Sequence, residues 1–213
     1  MTDLQSTLSA LLDSRASNPA FDTLMHDYVV YHAVLAALGA VVTCALLAGS
    51  VVAWRRSRQA RRRTFERSTL RTFAVSGALV TALLAVLVAA NVSSAVSPRQ
   101  GFANVIPELG ASPEVTAWLR EGRTAEVPPQ LQAQVDERLS WQRPKAIICS
   151  LLALLGIAFS VRLWRRLLAR ERRWTGIAVG SGAVVASALL TLMAMANTQA
   201  AFAPLVLTLI NEV

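Results

Sequence analysis

Four long apolar runs alternate with polar segments along the chain. They cover residues 28–54, 72–96, 146–161 and 175–203, and none of them contains Asp, Glu, Lys or Arg. A run of about 20 apolar residues spans a bilayer as a helix. The third run is short, but flanking Trp, Arg and Lys side chains can reach the interface from a short span. The pattern predicts an all-α integral membrane protein with four transmembrane helices.

The polar segments carry helical signals of their own. Leu4, Leu8, Leu11 and Leu12 recur at helical spacing, which predicts a short amphipathic helix that ends before Asn18-Pro19. Between the second and third runs, helix-start signals precede two further amphipathic stretches, at 113–120 and 129–140. We expect both to be short helices that rest on the bundle or the membrane surface. Their predicted buried residues are Trp118, Leu119, Leu131, Val135 and Leu139.

An internal repeat is visible when the chain is slid along itself. At a shift of 106 residues, 80–98 lies over 186–204 with seven of nineteen positions identical, and these include Asn91 over Asn197. At a shift of 105, Cys44 lies over Cys149. Both halves read as helix, Arg-rich loop, helix, Asn, Pro, so the repeats are parallel. We predict two tandem two-helix hairpins at 28–98 and 145–213, preceded by segment 1–27 and separated by a helical extracytoplasmic segment at 99–144.

Composition agrees with a membrane protein. Charged residues are 16% of the chain and hydrophobic residues 54%, with a mean hydropathy of +0.46, whereas a soluble domain carries about 25% charged residues. The net charge of +8 comes from two clusters, with eight Arg in 55–71 and six in 162–173. Each cluster lies between two apolar runs. The positive-inside rule places both clusters in the cytoplasm and both termini outside, in a bacterial inner (plasma) membrane.

The Arg clusters define the partners expected at the cytoplasmic face. They have no interleaved aromatic platform, so we expect no nucleic-acid binding. Basic side chains next to a span bind anionic headgroups. The predicted lipid anchors are Arg55, Arg56, Arg61, Arg62, Arg63, Arg165, Arg166, Arg172 and Arg173.

Polar residues inside the spans are few. The absence of charge there argues against ion-coupled transport through side-chain charge. The candidate intramembrane polar site is Asn91, Asn197, Ser94 and Gln199. It can be a binding site open to the outside, or a set of interhelical hydrogen bonds worth about 1 kcal/mol each. We favour the hydrogen-bond interpretation.

Small residues in the spans predict helix packing. Gly176 and Gly180 form a GxxxG pattern, and Gly77 has a similar place in the second run. Such residues allow close backbone approach between helices, within the bundle or between two copies. Cys44 and Cys149 lie in apolar runs, and we expect them to be buried free thiols that pack as small apolar residues.

The two histidines, His26 and His32, lie at the outer end of the first run. Six residues apart on a helix, they do not share a face. We therefore expect an interfacial aromatic belt around Tyr28 and His32, with a metal or haem site as the alternative. No Ser-His-Asp set, phosphate loop or HExxH occurs. We predict no enzyme activity and no cofactor.

Three functions remain open at this stage. The leading hypothesis is a non-enzymatic membrane protein that serves as a small subunit, an assembly factor or a partner-binding component of a membrane complex. The second is a small transporter or channel with a polar path on the pseudo-axis of the repeat, in a homo-oligomer or alone. The weakest is a membrane redox protein or enzyme that uses His26 and His32.

Overall fold

The computed structural model describes residues 2–14, 17–60, 65–109, 112–169 and 174–206, and in these ranges every regular element is helical. This confirms the predicted all-α class. The elements in chain order are α1 (Asp3–Asp13), α2 (Pro19–Gln59), α3 (Phe65–Val96), α4 (Pro98–Val105), a 3₁₀ turn (Ile106–Glu108), α5 (Pro113–Glu121), α6 (Pro129–Leu168) and α7 (Trp174–Phe202).

Four of these helices are long and apolar enough to cross a membrane: α2, α3, α6 and the part of α7 from Gly176 to Phe202. Within their most apolar windows only 11–17% of residues are buried. Exposed apolar surface of this extent is typical of helices that face lipid. The prediction of four helices able to span a membrane is confirmed, while the duplication and the orientation stay predictions.

Two elements differ from the sequence-based expectation. The helix predicted at 129–140 does begin at Pro129, but it continues through Pro144 to Leu168 and is not a separate short helix. Proline removes one backbone hydrogen bond and leaves the carbonyl of Ser140 without its helical donor. Ser140 is exposed, so water or lipid headgroups can donate a hydrogen bond to that carbonyl. The helix therefore tolerates the proline. The second difference is α4, a further short helix that starts at Pro98 and for which the sequence analysis gave no prediction.

The described chain forms two compact units. The first unit comprises Met1–Ala36, Ala89–Lys145 and Asn197–Val213. Its core is built from α1, the first turns of α2, α4, the 3₁₀ turn, α5, the start of α6 and the segment after α7. The fully buried core side chains, each at most 1% exposed, are Leu4, Leu8, Ala20, Leu24, Phe102, Val115, Leu119 and Val206.

The predicted buried face of this segment is confirmed in large part. Trp118, Leu119, Leu131 and Val135 are at most 5% exposed, whereas Leu139 is half-buried. The predicted amphipathic helix near the N-terminus is α1, which buries Leu4 and Leu8.

Gln5 ties α1 to the 3₁₀ turn through one buried amide. Its Oε1 accepts the backbone N–H of Thr2 at 2.8 Å, and the Thr2 hydroxyl accepts the N–H of Gln5 at 3.3 Å, which together form a capping box. Its Nε2 donates to the carbonyls of Pro107 at 3.1 Å and Leu109 at 3.0 Å. Every polar atom of the side chain is therefore satisfied, as burial requires.

Asn18 makes an equivalent connection between α2 and α5. Its Oδ1 accepts the N–H of Phe21 at 2.9 Å and so caps the first turn of α2, while its Nδ2 donates to the carbonyl of Leu119 at 2.8 Å. Gly122 ends α5 in the left-handed region, at φ 56°. A Cβ at Gly122 would lie 2.7 Å from Asn18 Nδ2. Glycine is required there both by its backbone conformation and by the approach of Asn18.

The second unit comprises Ala37–Val88 and Ala146–Ala196. Small residues let its helices approach closely, since a Cβ on Gly39 of α2 would lie 2.8 Å from the Val88 side chain of α3. Between α6 and α7, the hydroxyls of Ser160 and Ser187 lie 2.9 Å apart, and both residues are buried. Hydroxyl bonds between small-residue faces are typical of helix packing in lipid.

Trp164 fixes one end of the α6–α7 contact in the second unit. Its indole Nε1 donates to the carbonyl of Gly180 at 3.0 Å, and its ring packs edge-on against Phe73 of α3, with centroids 4.7 Å apart. Cys149 is buried among Ala153 and Ala194, as expected. The expectation of a buried thiol is wrong for Cys44, which is exposed on α2, because that helix turns this position away from the protein surfaces around it.

The charge clusters predict the membrane orientation, and exposed positions allow a direct test. In a cysteine-free background, Gln59→Cys and Ala169→Cys should be protected from an impermeant maleimide in intact cells, while Thr124→Cys should be labelled. All three positions are exposed, so packing does not mask them. Ser57, on the same helix as Gln59, is only 1% exposed, so a cysteine there would be protected by packing on either side of the membrane. Permeabilised cells should label all three, and labelling at 59 with protection at 124 would reverse the orientation.

Candidate functional site

The four predicted intramembrane polar residues all belong to the first unit, and three of them, Asn91, Ser94 and Gln199, form a polar cluster with α2. Asn91 of α3 is half-buried, and its Oδ1 lies 2.8 Å from Nδ1 of His32 on α2. Because the amide oxygen accepts, His32 donates through Nδ1–H, and a neutral ring then keeps Nε2 as an acceptor. This bond ties α2 to α3 across 59 residues of sequence.

Ser94 lies one turn beyond Asn91 on α3 and engages the same helix, α2. Its side chain is hydrogen-bonded to the hydroxyl of Tyr28. Tyr28 is 2% exposed and packs edge-on against Phe102, with ring centroids 5.3 Å apart. Gly101 makes room for this arrangement, since a Cβ there would lie 2.5 Å from the Tyr28 hydroxyl.

Gln199 and Asn197 bring α7 into the same unit. Gln199 is 7% exposed, and its Nε2 donates to the carbonyl of Tyr31 at 3.3 Å. Asn197 is half-buried and engaged with a partner. The rings of Tyr28 and Tyr31 flank His32 edge-on, at 4.4 Å and 5.1 Å. The cluster is thus a set of interhelical bonds inside an aromatic surround, an arrangement that holds helices together in an apolar medium.

Asp27 is a buried carboxylate that the sequence patterns did not single out. It is 9% exposed, and its Oδ2 accepts the N–H of Val206 at 2.8 Å, with a further backbone bond from Leu205. These two N–H groups follow Pro204 and have no preceding helical turn to bond. Asp27 therefore caps the segment after α7 from a different helix, which offsets the cost of burying its charge.

The two histidines do not form a joint site. His26 is exposed, while His32 is half-buried and engaged with Asn91. Among the described residues no group of three or more His, Cys, Asp or Glu side chains is placed to hold a metal ion. The only ring partners of His32 among the described contacts are Tyr28 and Tyr31.

The predicted packing glycines and basic anchors lie in the second unit, as far as they are described. Gly77 lies against the Ser50 hydroxyl of α2, and a Cβ at Gly180 would lie 3.0 Å from the Trp164 ring. A Cβ at Gly176 would lie 2.5 Å from Leu167. The anchors at exposed positions are Arg55, Arg56, Arg165 and Arg166. The anchors outside the described residues are Arg61, Arg62, Arg63, Arg172 and Arg173.

A groove with a volume of about 630 Å³ opens on the first unit, between α1 and the segment formed by α4 and the 3₁₀ turn. Asp13 and Arg99 place one acid and one base on its rim, and Gln100 adds an exposed amide. The apolar residues of its wall are Leu12, Ala103, Ile106 and Pro107. An apolar floor with a few polar groups at the rim is typical of a binding surface.

Sequence reasoning found the amides of the polar cluster but missed their partners. His32 was assigned to an interfacial belt, although its bond to Asn91 is the centre of the cluster. The signal that could have found it is an amide and an imidazole at the same predicted depth on neighbouring spans. Asp27 gave a comparable signal, as an acid next to the start of an apolar run. No protein family, curated protein or solved structure matches this chain.

The bond between His32 and Asn91 should be measurable by a double-mutant cycle. We expect Asn91→Leu and His32→Phe to be coupled by about 0.5–1.5 kcal/mol in equilibrium unfolding in detergent, the range for side-chain bonds between membrane helices. The control cycle pairs Asn91→Leu with His26→Phe, an exposed position on the same helix, and should show no coupling. Unchanged stability together with loss of cellular function would favour a binding site over a structural bond.

Asp27 offers a second stability test with a matched pair of variants. Asp27→Ala should lower the free energy of unfolding by about 1–3 kcal/mol, because it leaves the buried N–H groups of Leu205 and Val206 without an acceptor. Asp27→Asn keeps one acceptor oxygen and should lose clearly less. Denaturant titration in detergent, monitored by circular dichroism, compares the two, and equal losses would contradict the capping role.

Proposed function

We propose that this protein is a non-enzymatic membrane module that binds a partner protein through the first unit, as a small subunit, assembly factor or partner-binding component of a membrane complex. The observation that carries the proposal is the groove between α1 and α4. The same proposal places the first unit on the extracytoplasmic side and the Arg-rich segments on anionic lipid in the cytoplasmic leaflet.

The groove is suited to a segment of another protein that inserts side chains into it. Its wall has four apolar residues, and its rim has one residue of each charge, so it offers both burial and orientation. Gln5 and Ser9, which also line it, use their donors internally, with Gln5 bonded to Pro107 and Leu109 and Ser9 to the carbonyl of Gln5. Arg99 donates one N–H to the carbonyl of Leu12 at 3.4 Å and keeps further donors. The groups open to a partner are those donors, Asp13 and Gln100.

The rigidity of the first unit supports recognition as well. Helix α1 is held by the Gln5 bonds, and Ile106 on the opposite wall is 5% exposed within the core. Both walls of the groove are therefore anchored to the core of the first unit. Preformed surfaces bind with less loss of conformational entropy than flexible ones.

The hydrogen bonds of the polar cluster argue against the transport alternative. A polar path needs groups that can exchange bonds with a solute, whereas Asn91, Ser94 and Gln199 are each bonded to α2. In the proposed function these residues hold the helices of the first unit together. The weaker redox alternative would require His32 to leave Asn91.

The test blocks the groove by substitution and measures how much of the partner protein stays bound. Ala103→Trp places a large ring into the groove from an exposed position, and Arg99→Glu inverts the charge of its rim. We expect Ala103→Trp to reduce a stoichiometric partner, co-purified in mild detergent and measured by quantitative mass spectrometry, by about tenfold or more, as central interface positions do. Arg99→Glu should reduce it by a smaller factor, because rim charges contribute less to affinity.

Thr124→Trp is the control, because position 124 is exposed and does not line the groove. It should retain the partner at the wild-type level. A partner that survives both groove variants would place recognition elsewhere. A homo-oligomer with no other stoichiometric component would overturn the proposal and favour the transporter or channel.

A further inference from the structure

One face of α6 in the second unit joins an apolar strip to a cationic patch. Leu155, Ala158, Phe159, Arg162, Arg165 and Arg166 line an open depression of about 950 Å³. With 3.6 residues per turn, these positions fall within an arc of about 120° on one side of the helix. Leu155 is 67% exposed and Phe159 59% exposed, and all three arginines are exposed.

The opposite face of α6 fixes the direction of this strip. Gly156, Ser160 and Trp164 recur at every fourth position and face α7, where Ser160 bonds Ser187 and Trp164 donates to Gly180. Because these three contacts set the rotation of α6, the strip is held pointing away from α7. The surface is therefore a fixed feature and does not depend on side-chain rearrangement.

We infer that this strip is a binding site for a single anionic phospholipid, with the phosphate on the three arginines and an acyl chain along Leu155 and Phe159. The inference deepens the lipid-anchoring role within the proposed function and rests on it. It also adds Arg162, which was not among the predicted anchors. The described residues of the depression include no acid to compete for the guanidinium groups.

Chemistry and length both favour a lipid over other anions. Guanidinium groups one turn apart present several N–H donors to one phosphate and can bind it in a bidentate manner. The rise from Leu155 to Arg165 is about 15 Å, which is half of the hydrocarbon thickness of about 30 Å. A lipid of one leaflet thus covers the strip from chain to headgroup, whereas a soluble phosphate or an acidic peptide would leave Leu155 and Phe159 unused.

The experiment titrates detergent-solubilised protein with dioleoyl phosphatidylglycerol and follows bound lipid by native mass spectrometry. The strip variant carries Arg162→Gln, Arg165→Gln and Arg166→Gln. The control variant carries Arg55→Gln, Arg56→Gln and Arg58→Gln, which remove the same charge from exposed positions at the end of α2. We expect the strip variant to bind about tenfold or more weakly and the control to change less than about twofold.

Each other outcome has a distinct meaning. Equal losses in both variants would overturn the defined site but leave general anchoring by arginine intact. No loss in either variant would overturn the site and the anchoring role together. Displacement of phosphatidylglycerol by glycerol 3-phosphate at similar concentration would identify a soluble-phosphate site instead, and equal binding of phosphatidylcholine would contradict selectivity for anionic lipid.

A second measurement does not depend on the variants being folded. Phosphatidylglycerol with a photoreactive group in its acyl chain, added to the wild-type protein, should crosslink to α6 at the apolar end of the strip, near Leu155 and Phe159. Crosslinks spread evenly over the exposed faces of α2, α3 and α7 would overturn the inference.

Discussion

The first unit depends on one constraint, which is that the polar groups at the ends of its helices must find partners away from water. Asn18 satisfies this constraint at two helix ends with one side chain. Its amide oxygen caps the start of α2, and its amide nitrogen donates to a carbonyl at the end of α5. Gln5 does the same for α1 and the 3₁₀ turn, and Asp27 for the segment after α7. Asn18 and Gln5 each combine a local cap with a contact across about 100 residues, and Asp27 caps a segment 179 residues away. Helix termination and tertiary structure are therefore served by the same side chains.

The second unit obeys the same constraint with different groups. Its helix interiors satisfy their own backbone. Among the described residues, hydroxyls such as those of Thr43, Ser50 and Thr81 bond carbonyls of their own helices, while Ser160 and the Trp164 indole bond across from α6 to α7. Close approach by glycine and serine takes the place of a large buried core. The exposed apolar faces are left to the lipid, and on α6 such a face continues directly into three exposed arginines that line the same depression.

The spans were predictable because lipid imposes length and apolarity on each of them independently of the rest of the chain. The start of α5 at Pro113 was predictable for a similar reason, since helix-start signals are local. The bond between His32 and Asn91, the roles of Asn18 and Asp27, and the passage of α6 through Pro144 were not. Each depends on which group lies opposite in space, and a single sequence does not record that.

The capture of Val206 by Asp27 has a consequence for biosynthesis. Val206 is 1% exposed in a core that also contains Leu4 and Leu8. During translation Leu4 and Leu8 are made before α2, whereas Val206 is made after α7. The first unit therefore cannot close while α7 is still being made. Until then the core that contains Leu4 and Leu8 lacks one of its fully buried side chains.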